Sequence, residues 1–375
     1  MPTALANIYR LGIKELWSLV RDPVMLLLIA WVFSAGIYIA ATAMPENLHN
    51  APIAIVDEDG SPLSAKIVAS FYPPHFKTPQ LVSLAQGDLG MDNGDYSFVL
   101  DIPPNFQSDV LAGRAPVAQL NVDATRMTQA FTGSAYIQKM VAEEVNGFLL
   151  RYRATTEPPV ELVVRMRFNP NLEQSWFGSL MELINNVTML SIILTGAALI
   201  REREHGTIEH LLVMPVTPME IMVAKVWSMG LVVLLAALLS LIFMVKGVLQ
   251  VPIEGSVSLF MLLAALHLFA TTSMGIFMAT LARSMPQFGM LLVLVLLPLQ
   301  LLSGGSTPRE SMPSFVQDVM LAAPTTHFVS GAQAILYRGA GIDVIWPQLL
   351  ALFVIGSVLF GAAHMRFRKT ISQMA

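Results

Sequence analysis

The sequence predicts an α-helical membrane protein of six transmembrane helices, one followed by five, with an α/β extracytoplasmic domain inserted between helices one and two. Of the 375 residues, 54% are hydrophobic and 13% are charged, and the mean hydropathy of +0.61 leaves too few polar side chains to cover a soluble protein. Six apolar runs are interpreted as spans, since a helix of about 20 residues crosses a hydrocarbon core of roughly 30 Å. Between the first two runs, charges, prolines and turn residues return over 44–175.

The spans and the segments between them can be placed along the chain. An amphipathic helix comes first, because Leu5, Ile13 and Leu16 share one helical face while Arg10 and Lys14 lie opposite. Such a helix rests in the membrane interface. The predicted boundaries are 1–22 for this interface helix, 23–43 for span one, 44–175 for the inserted domain, 176–200 for span two, 201–217 for a cytoplasmic elbow, 218–245 for span three, 257–281 for span four, 287–302 for span five, 303–344 for a periplasmic segment of short helices at the surface or partly re-entrant, 345–365 for span six and 366–375 for a cytoplasmic tail.

The inserted domain alternates between strand and helix patterns, which indicates a compact α/β unit. The predicted strands are Ile53–Asp57, Tyr96–Ile102, Val117–Asp123 and Val160–Phe168. The predicted helices are Leu63–Phe71, Asn105–Ala112 and a long one over about 128–152.

Positive residues concentrate on one side of the predicted spans. The positive-inside rule counts Lys and Arg in short loops and near span ends, and it leaves out long domains. These residues cluster before span one, in the elbow, at Arg283 and after span six, whereas the opposite loops offer Lys246, Arg309 and Arg338. Both termini and the elbow are therefore predicted to be cytoplasmic, and the inserted domain is predicted to be periplasmic.

The elbow is predicted to contain a short amphipathic helix. Thr207 can cap this helix, Glu209 suits the positive end of the helix dipole in its first turn, and Pro215 ends it. Thr217 and Glu220 then form a predicted capping box that starts span three. Acidic and basic residues nearly balance in the elbow, which favours docking to a charged partner over the alternative of a solvated loop that only orients the spans.

Missing motifs exclude several kinds of chemistry. The chain has no G-x-x-x-x-G-K-[ST] sequence, so it does not build a P-loop for ATP. It has no cysteine, which excludes disulfides, thiolate metal sites and a cysteine nucleophile. His205 and His210 are off the i,i+4 spacing of metal ligands on one helix. The net charge of −4, without a dense Lys/Arg block, argues against a nucleic acid partner. We expect no catalytic residue, cofactor or metal on this chain.

Polar side chains within the predicted spans are candidates for a translocation path. Burying ionisable groups in a membrane is costly, so they are functional candidates by default. The alternative for the histidine is a neutral ring that hydrogen-bonds to a neighbouring helix. The candidates are Glu182, Asn185 and Asn186 in span two, His267 in span four and Gln300 in span five.

The elbow and the order of spans resemble those of a known family. The chain carries R-E-R-E-x-G-T-x-E-x-L-L at 201–212 with a P-V-T-P-x-E-I-M continuation, I-P-P-N-F at 102–106, V-D-A-T-R-M-T-Q-A at 122–130 and S-G-G-S-T-P at 303–308. These sequences are similar to those of the bacterial ABC-2 type permeases. The resemblance covers nearly the whole chain and is specific to the long-ectodomain group, the inner-membrane transport permeases of multidrug or secretion-type exporters.

This resemblance implies a subunit of the inner membrane that forms a dimer with a second copy or a paralogue, binds ABC ATPase subunits through the elbow, and exports a substrate such as a drug or hydrophobic compound. ATP and Mg would bind to the ATPase subunits and not to this chain. Relatives often work beside a periplasmic adaptor and an outer-membrane channel. The predicted ATPase-docking residues are Arg201, Glu202, Arg203, Glu204, Gly206, Thr207, Glu209 and His210.

Two other functions stay open as alternatives. An ion-coupled secondary transporter needs carboxylates or broken helices at the membrane midplane, and here His267 alone is central while no inverted repeat is visible. A membrane-anchored receptor or scaffold needs a single span, so five further spans argue against it. The sequence does not name a transported substrate.

Overall fold

The computed structural model describes residues 2–42, 50–123, 127–152, 174–204, 216–305 and 307–372. The chain divides into two compact units, one of 1–43 with 167–375 and the other of 44–166. The helices and strands, in chain order, are α1 (Pro2–Val20), α2 (Pro23–Thr42), β1 (Ile53–Asp57), α3 (Pro62–Ser70), β2 (Gln80–Leu81), α4 (Leu84–Asp92), β3 (Phe98–Ile102), α5 (Phe106–Leu111), β4 (Gln119–Val122), α6 (Met127–Tyr152), α7 (Gln174–Glu204), α8 (Pro218–Val248), α9 (Val257–Leu281), α10 (Met285–Leu301), α11 (Ser314–Met320), α12 (Pro324–Leu336) and α13 (Ile342–Ser372).

Among the described residues, five helices are long and apolar enough to cross a membrane: α2, α7, α8, α9 and α13. A shorter apolar helix, α10, has 17 residues. At 1.5 Å per residue it is about 25 Å long, somewhat less than the hydrocarbon core. The membrane-helical class is therefore supported, while a sixth span at α10 stays a prediction.

Helix ends extend beyond the apolar runs that predicted them. Helix α7 continues to Glu204, so the first four residues of the predicted elbow belong to it, and α13 continues to Ser372. Backbone hydrogen bonding does not stop where hydrophobicity stops, and Arg and Glu have high helix propensity. Helix α8 begins as predicted, because Thr217 caps it, Glu220 completes the capping box and Pro218 occupies the first turn.

Helix α9 lies at the centre of the membrane unit and packs against α7, α8, α12 and α13. Its contact with α7 requires a residue without a side chain, because a Cβ on Gly275 would lie 2.7 Å from the carbonyl oxygen of Ile192. Small residues let membrane helices approach closely enough for extensive dispersion contacts. The predicted path residue His267 is on the same helix and is fully buried.

Helix α12 lies within the segment predicted to be at the surface or partly re-entrant. Most of its residues are buried, and the Phe328 ring stacks on the His267 ring with centroids 4.0 Å apart. Helix α12 packs against α9 and α13, and a surface or partly re-entrant position of 303–344 in the membrane stays a prediction.

The described residues of the inserted unit form a four-stranded sheet in the order β2-β1-β3-β4. Strand β1 pairs in parallel with β2 and β3, and β3 pairs antiparallel with β4. One face of the sheet contacts α3 and α6 through Ile55, Ile67 and Ile137, while Val56 and Val99 belong to a smaller cluster on the other face. Burial on both faces explains why β1 is an unbroken apolar run rather than an alternating one.

Three of the predicted strands overlap observed ones, namely β1, β3 and β4. The prediction at 160–168 lies outside the described residues. Strand β2 and helix α4 were not predicted, because β2 has two residues and α4 is a weakly amphipathic helix with two glycines.

Candidate functional site: a charge cluster beside the elbow

Four charged side chains meet where α7 ends, α8 begins and α1 packs along α8. We call this group, Lys14, Glu15, Glu202 and Lys225, the charge cluster. Helix α1 contributes the first two residues, of which Glu15 lies on its buried face with Leu11 and Leu19 and Lys14 lies at the exposed edge of that face. Helices α7 and α8 contribute one residue each. Two ammonium groups and two carboxylates give the cluster a balanced charge.

Lys225 is the centre of the cluster. Its side chain is 2% exposed, and its Nζ atom lies 3.0 Å from Glu15 Oε1 and 2.7 Å from Glu202 Oε2. A buried ammonium is stable only when carboxylates or carbonyls replace its hydration shell. The two carboxylates therefore hold α8 to both α1 and α7.

Lys14 closes the cluster on its exposed side. Its Nζ atom donates a hydrogen bond to Glu202 Oε1 at 2.8 Å and lies 3.7 Å from Glu15 Oε1. Burial raises the pKa of the Glu15 carboxyl, and although Lys225 lowers this pKa, the neighbouring Glu202 raises it again. A cavity of about 200 Å³ adjoins Lys14, Glu15 and Glu202, with room for several waters.

A second ion pair ties the end of α7 to the start of α2. The Arg201 guanidinium donates to the Asp22 carboxylate, which also accepts the backbone N–H of Met25 at 3.1 Å and so caps α2. Burial acts to raise the pKa of Asp22, but the N–H of Met25 and the guanidinium outweigh it, so this pKa lies below its usual range.

The next two residues contact the turn between α9 and α10. The Arg203 guanidinium donates to the carbonyl oxygen of Ala279 at 3.4 Å, in the last turn of α9. It also donates to the carbonyl oxygen of Ala282, the residue that caps the end of α9. Glu204 Oε1 accepts the backbone N–H of Met285 at 2.9 Å, at the start of α10. One turn of α7 thus contacts five other helices of its own unit.

The predicted docking residues therefore divide into two groups. Arg201, Glu202, Arg203 and Glu204 have partners within the chain. The other four are Gly206, Thr207, Glu209 and His210, and they lie outside the described residues. The predicted helix cap at Thr207 and the predicted helix end at Pro215 therefore lie outside them as well. Docking to an ATPase stays a prediction for all eight.

Sequence reasoning missed Lys14, Glu15, Asp22 and Lys225 as site residues, and it used Lys14 only as one of the positive charges near span one. Lys225 was counted only as a positive charge for topology. One signal could have identified it, since it is an ionisable residue within span three and such residues take partners. No comparable signal marks Glu15 or Asp22. Both lie in the predicted interface helix before span one, where charged residues are expected.

Among the predicted translocation residues, Glu182 and Asn186 form a side-chain hydrogen bond one turn apart on α7. The Asn186 side chain donates to the carbonyl oxygen of Val32 at 3.0 Å, where α2 contains a π-helical stretch. His267 Nε2 lies 2.8 Å from Thr188 Oγ1, which fits the alternative of a histidine that joins two helices. Glu182, Asn185 and Gln300 are half-buried. Their role in translocation stays a prediction.

Within the described ranges, no group of three or more His, Asp or Glu side chains could hold a metal ion. The arrangement at the end of α7 joins helices to one another through ion pairs.

Comparison with known proteins identifies the family. Residues 24–364 match the family model described as "ABC-2 family transporter protein". The chain is 64% identical over 371 residues to the inner membrane transport permease YhhJ of Escherichia coli K12, and the alignment covers 99% of each chain.

More distant relatives are similar over almost the same length. The chain is 27% identical over 363 residues to the probable multidrug ABC transporter permease YbhR of Escherichia coli K12, covering 96% of this chain and 97% of the relative. It is 26% identical over 377 residues to the probable multidrug ABC transporter permease YbhS of the same organism, covering 93% of each. With a family model matched over nearly its whole length and five helices able to cross a membrane, this chain is a multi-pass membrane protein that belongs to the ABC-2 family of transporter proteins.

Proposed function

We propose that this chain is the transmembrane permease subunit of an ABC-2 exporter of the bacterial inner membrane. Family membership and the permease names of the relatives support this function. Because the sequence has no P-loop, ATP and Mg are expected on separate ATPase subunits. The relatives named as probable multidrug permeases favour a drug or another hydrophobic compound as substrate.

The proposed topology follows from the distribution of positive charge. Both termini and the elbow face the cytoplasm, residues 44–175 form a periplasmic domain, and α10 supplies a sixth, short span. A dimer of this chain with itself or a paralogue would present two elbows to two ATPase subunits. A periplasmic adaptor and an outer-membrane channel are further proposed partners for the inserted domain.

The charge cluster is the observation that supports a coupling role for the elbow. Glu202 lies before the elbow's predicted helix and Lys225 lies after it, and the two are joined directly at 2.7 Å. Glu15 extends this connection to α1. A force on the elbow would therefore move α1, α7 and α8 as one body instead of bending the loop alone.

The length of α7 would carry such a movement across the membrane. This helix has 31 residues, about 46 Å at 1.5 Å per residue, and contains no proline. ATP binding would draw the ATPase subunits together and carry the elbows with them. Only a difference in elbow contacts between the two nucleotide states can drive this change.

The experiment that tests this function is purification of the tagged permease from its own membranes. We expect a P-loop ATPase to copurify in a ratio close to one per permease, and its hydrolysis to depend on the permease. Glu209→Lys should reduce the retained ATPase and abolish export, because it reverses a charge within the predicted docking helix.

Glu310→Lys is the matched control, since it reverses an exposed glutamate of the same unit on the opposite predicted side of the membrane. It should leave ATPase retention unchanged. Absence of any ATPase in the purified sample, or equal retention by Glu209→Lys and wild type, would refute the proposed coupling.

A further inference from the structure

The first turn of helix α12 is buried in the membrane unit and lacks a helix cap. Ala323 occupies the cap position, where its side chain cannot accept a hydrogen bond, and no acidic residue follows in the first turn. The first N–H groups of a helix have no partner within that helix. Among the described residues, none accepts a hydrogen bond from the N–H groups of Thr325 and Thr326. A buried helix start of this kind requires an acceptor from elsewhere.

Two buried hydroxyl groups add to these free donors. Thr325 and Thr326 are 3% and 5% exposed, and within the described ranges neither Oγ1 atom has a hydrogen-bond partner. Buried threonines inside a helix usually donate to a carbonyl one turn back, as Thr272 on α9 does to Leu268 at 2.6 Å. A threonine in the first turn has no such carbonyl in its own helix. Side chains tilt toward the helix N-terminus, so both hydroxyls point to the side of the free N–H groups.

The donors at the start of α12 favour an anion that offers several acceptor positions. Backbone N–H groups donate only, hydroxyls can donate, and the helix dipole places partial positive charge at the same point. A carboxylate has about four acceptor positions. It can therefore receive the two hydroxyls and the two N–H groups of Thr325 and Thr326 together. Helix starts with free N–H groups are general binding sites for such anions.

The start of α12 lies beside the middle of α9. The Phe328 ring stacks on the His267 ring, and the N–H of Glu254 donates to the carbonyl of Leu336 at 3.2 Å, so α12 runs antiparallel to the first half of α9. His267 is ten residues after Val257, the first residue of α9, which corresponds to about 15 Å along the helix. In the proposed topology this depth is below the headgroup layer, where a phospholipid phosphate would lie.

An exposed apolar strip leads to the start of α12. It consists of Phe315, Val319 and Leu321, which are 75%, 54% and 43% exposed. Phe315 and Val319 are four residues apart on one face of α11, and two alanines separate Leu321 from α12. The His327 ring lies 2.9 Å from the carbonyl oxygen of Leu321, which holds this turn against α12. An anion-binding site next to an apolar strip suits an amphiphile.

We propose that the start of α12 binds the carboxylate of a single-chain amphiphilic acid, and that compounds of this class are what the permease exports. The hydroxyls of Thr325 and Thr326 donate to the carboxylate oxygens, and the apolar strip holds the chain of the acid. This inference rests on the proposed function and narrows its substrate from any hydrophobic compound to one that carries a carboxylate.

The test is photolabelling of the full-length permease in a neutral detergent. The probes are dodecanoic acid and dodecylamine that carry the same diazirine in their chains, and the labelled residues are mapped by mass spectrometry. We expect the acid to label α11 and the start of α12, and the amine to leave them unlabelled. Thr325→Val with Thr326→Val should require about 100-fold more acid for half-maximal labelling, because each hydrogen bond to a charged group is worth about tenfold in affinity.

The matched control is Thr272→Val, which removes a buried threonine hydroxyl that already has a partner in its own helix. Its labelling by the acid should match that of the wild type. Without added acid, the double variant should unfold at the wild-type temperature or above it, because valine replaces hydroxyls that have no partner. Added acid should raise the unfolding temperature of the wild type and not that of the double variant.

Transport provides the second readout. Everted membrane vesicles with the wild-type permease and its ATPase should accumulate the acid when ATP is supplied, and vesicles with the double variant should not. Copurification of the ATPase is measured for both proteins. Labelling of α12 without any copurified ATPase would refute the proposed function and keep the binding site, whereas a copurified ATPase without labelling of α12 would refute the site alone.

Four outcomes would overturn the proposal. Equal labelling by the acid and the amine would exclude selection of an anion. An equal loss in Thr272→Val would show that the two hydroxyls are not specific. Acetate that competes at the same concentration as unlabelled dodecanoate would point to a small anion. A lower unfolding temperature of the double variant without added acid would assign the hydroxyls to bonds within the fold.

Discussion

The charge cluster and an open pocket of about 630 Å³ both lie at the end of α7, but they differ in how far their charged side chains are buried. We call this second site the basic pocket, because most of its charged lining residues are cations. Successive residues of one helical turn divide between them: Arg201 and Glu202 line the cavity beside the cluster, and Arg203 and Glu204 line the pocket. The cluster is balanced, with two lysines against two carboxylates, and all of its members except Lys14 are largely buried. The pocket is open, and the charged side chains among its described lining residues are Arg203, Glu204, Arg283, Arg366 and Lys369.

This difference shows what each region is suited to do. A buried group of charges must be neutral and fully paired, because an unpaired charge away from water costs several kcal/mol. Such a group joins elements within the chain. An open pocket can hold several charges because water and salt screen them. Three predictions test this contrast, from the largest expected effect to the smallest.

The largest effect is expected from Lys225→Met. This change removes the buried cation between the carboxylates of Glu15 and Glu202 and leaves them only the half-exposed Lys14, and breaking a buried ion pair in this way typically costs about 3–5 kcal/mol. We expect a lower unfolding temperature of the detergent-solubilised protein. Adding Glu15→Gln to this variant should restore part of the loss, because a neutral amide removes the repulsion between the two neighbouring carboxylates.

The control is Lys246→Met at the other end of α8, where the lysine is exposed. Its unfolding temperature should stay near that of the wild type. If both lysine variants lose the same stability, Lys225 is not the centre of a buried network and the contrast between the two regions fails.

A smaller effect is expected from comparing Glu202→Gln with Glu204→Gln, since the two residues are neighbours of one type in different regions. Glu202→Gln removes a charged partner of two lysines, and hydrogen bonds to charged groups are worth about 1.5–3 kcal/mol. Glu204→Gln retains an amide oxygen that can accept the N–H of Met285. Thermal unfolding should separate the two variants. Equal losses would mean that burial does not distinguish the regions.

The smallest effect is expected at Asp22, where a cap and an ion pair share one carboxylate. Asp22→Ala should cost about 0.5–2 kcal/mol through loss of the helix cap. Asp22→Ser keeps an acceptor for Met25 but loses the contact with Arg201, so the difference between the two variants measures the cap alone.

The pH dependence of the Asp22 contribution has a definite sign. Because the folded pKa lies below the ordinary value, the contribution is complete above that value and declines as the pH falls through the folded pKa. Unfolding of wild type and Asp22→Ala should therefore differ at neutral pH and converge in acid. Convergence at high pH instead would contradict this assignment.

Local chemistry made much of the fold predictable from the sequence. Thr217, Pro218 and Glu220 stand within one turn of each other, so the start of α8 could be predicted and is confirmed by the capping box. Strand β1 could be predicted from five consecutive residues with bounding turns. The short strand β2 could not, because two residues carry no periodicity and their pairing depends on β1.

The candidate site was predictable only in part. The alternating charges of 201–204 marked the end of α7 as unusual, and they were interpreted as a surface for another chain. In the structure these side chains first satisfy partners within their own chain. Nothing in the local sequence of α7 distinguishes an internal ion pair from an external one, because both need the same residues.

The sequence by itself determined that this chain enters a membrane, where most of its helices begin, and which family it resembles, since apolar runs, caps and motifs are properties of neighbouring residues. The tertiary structure decided which charges meet. Lys225 and Glu15 are 210 residues apart, and Lys14 and Glu202 are 188 apart. Their pairing depends on how α1 packs along α8, and the desolvation that makes each pair necessary exists only after those helices have come together.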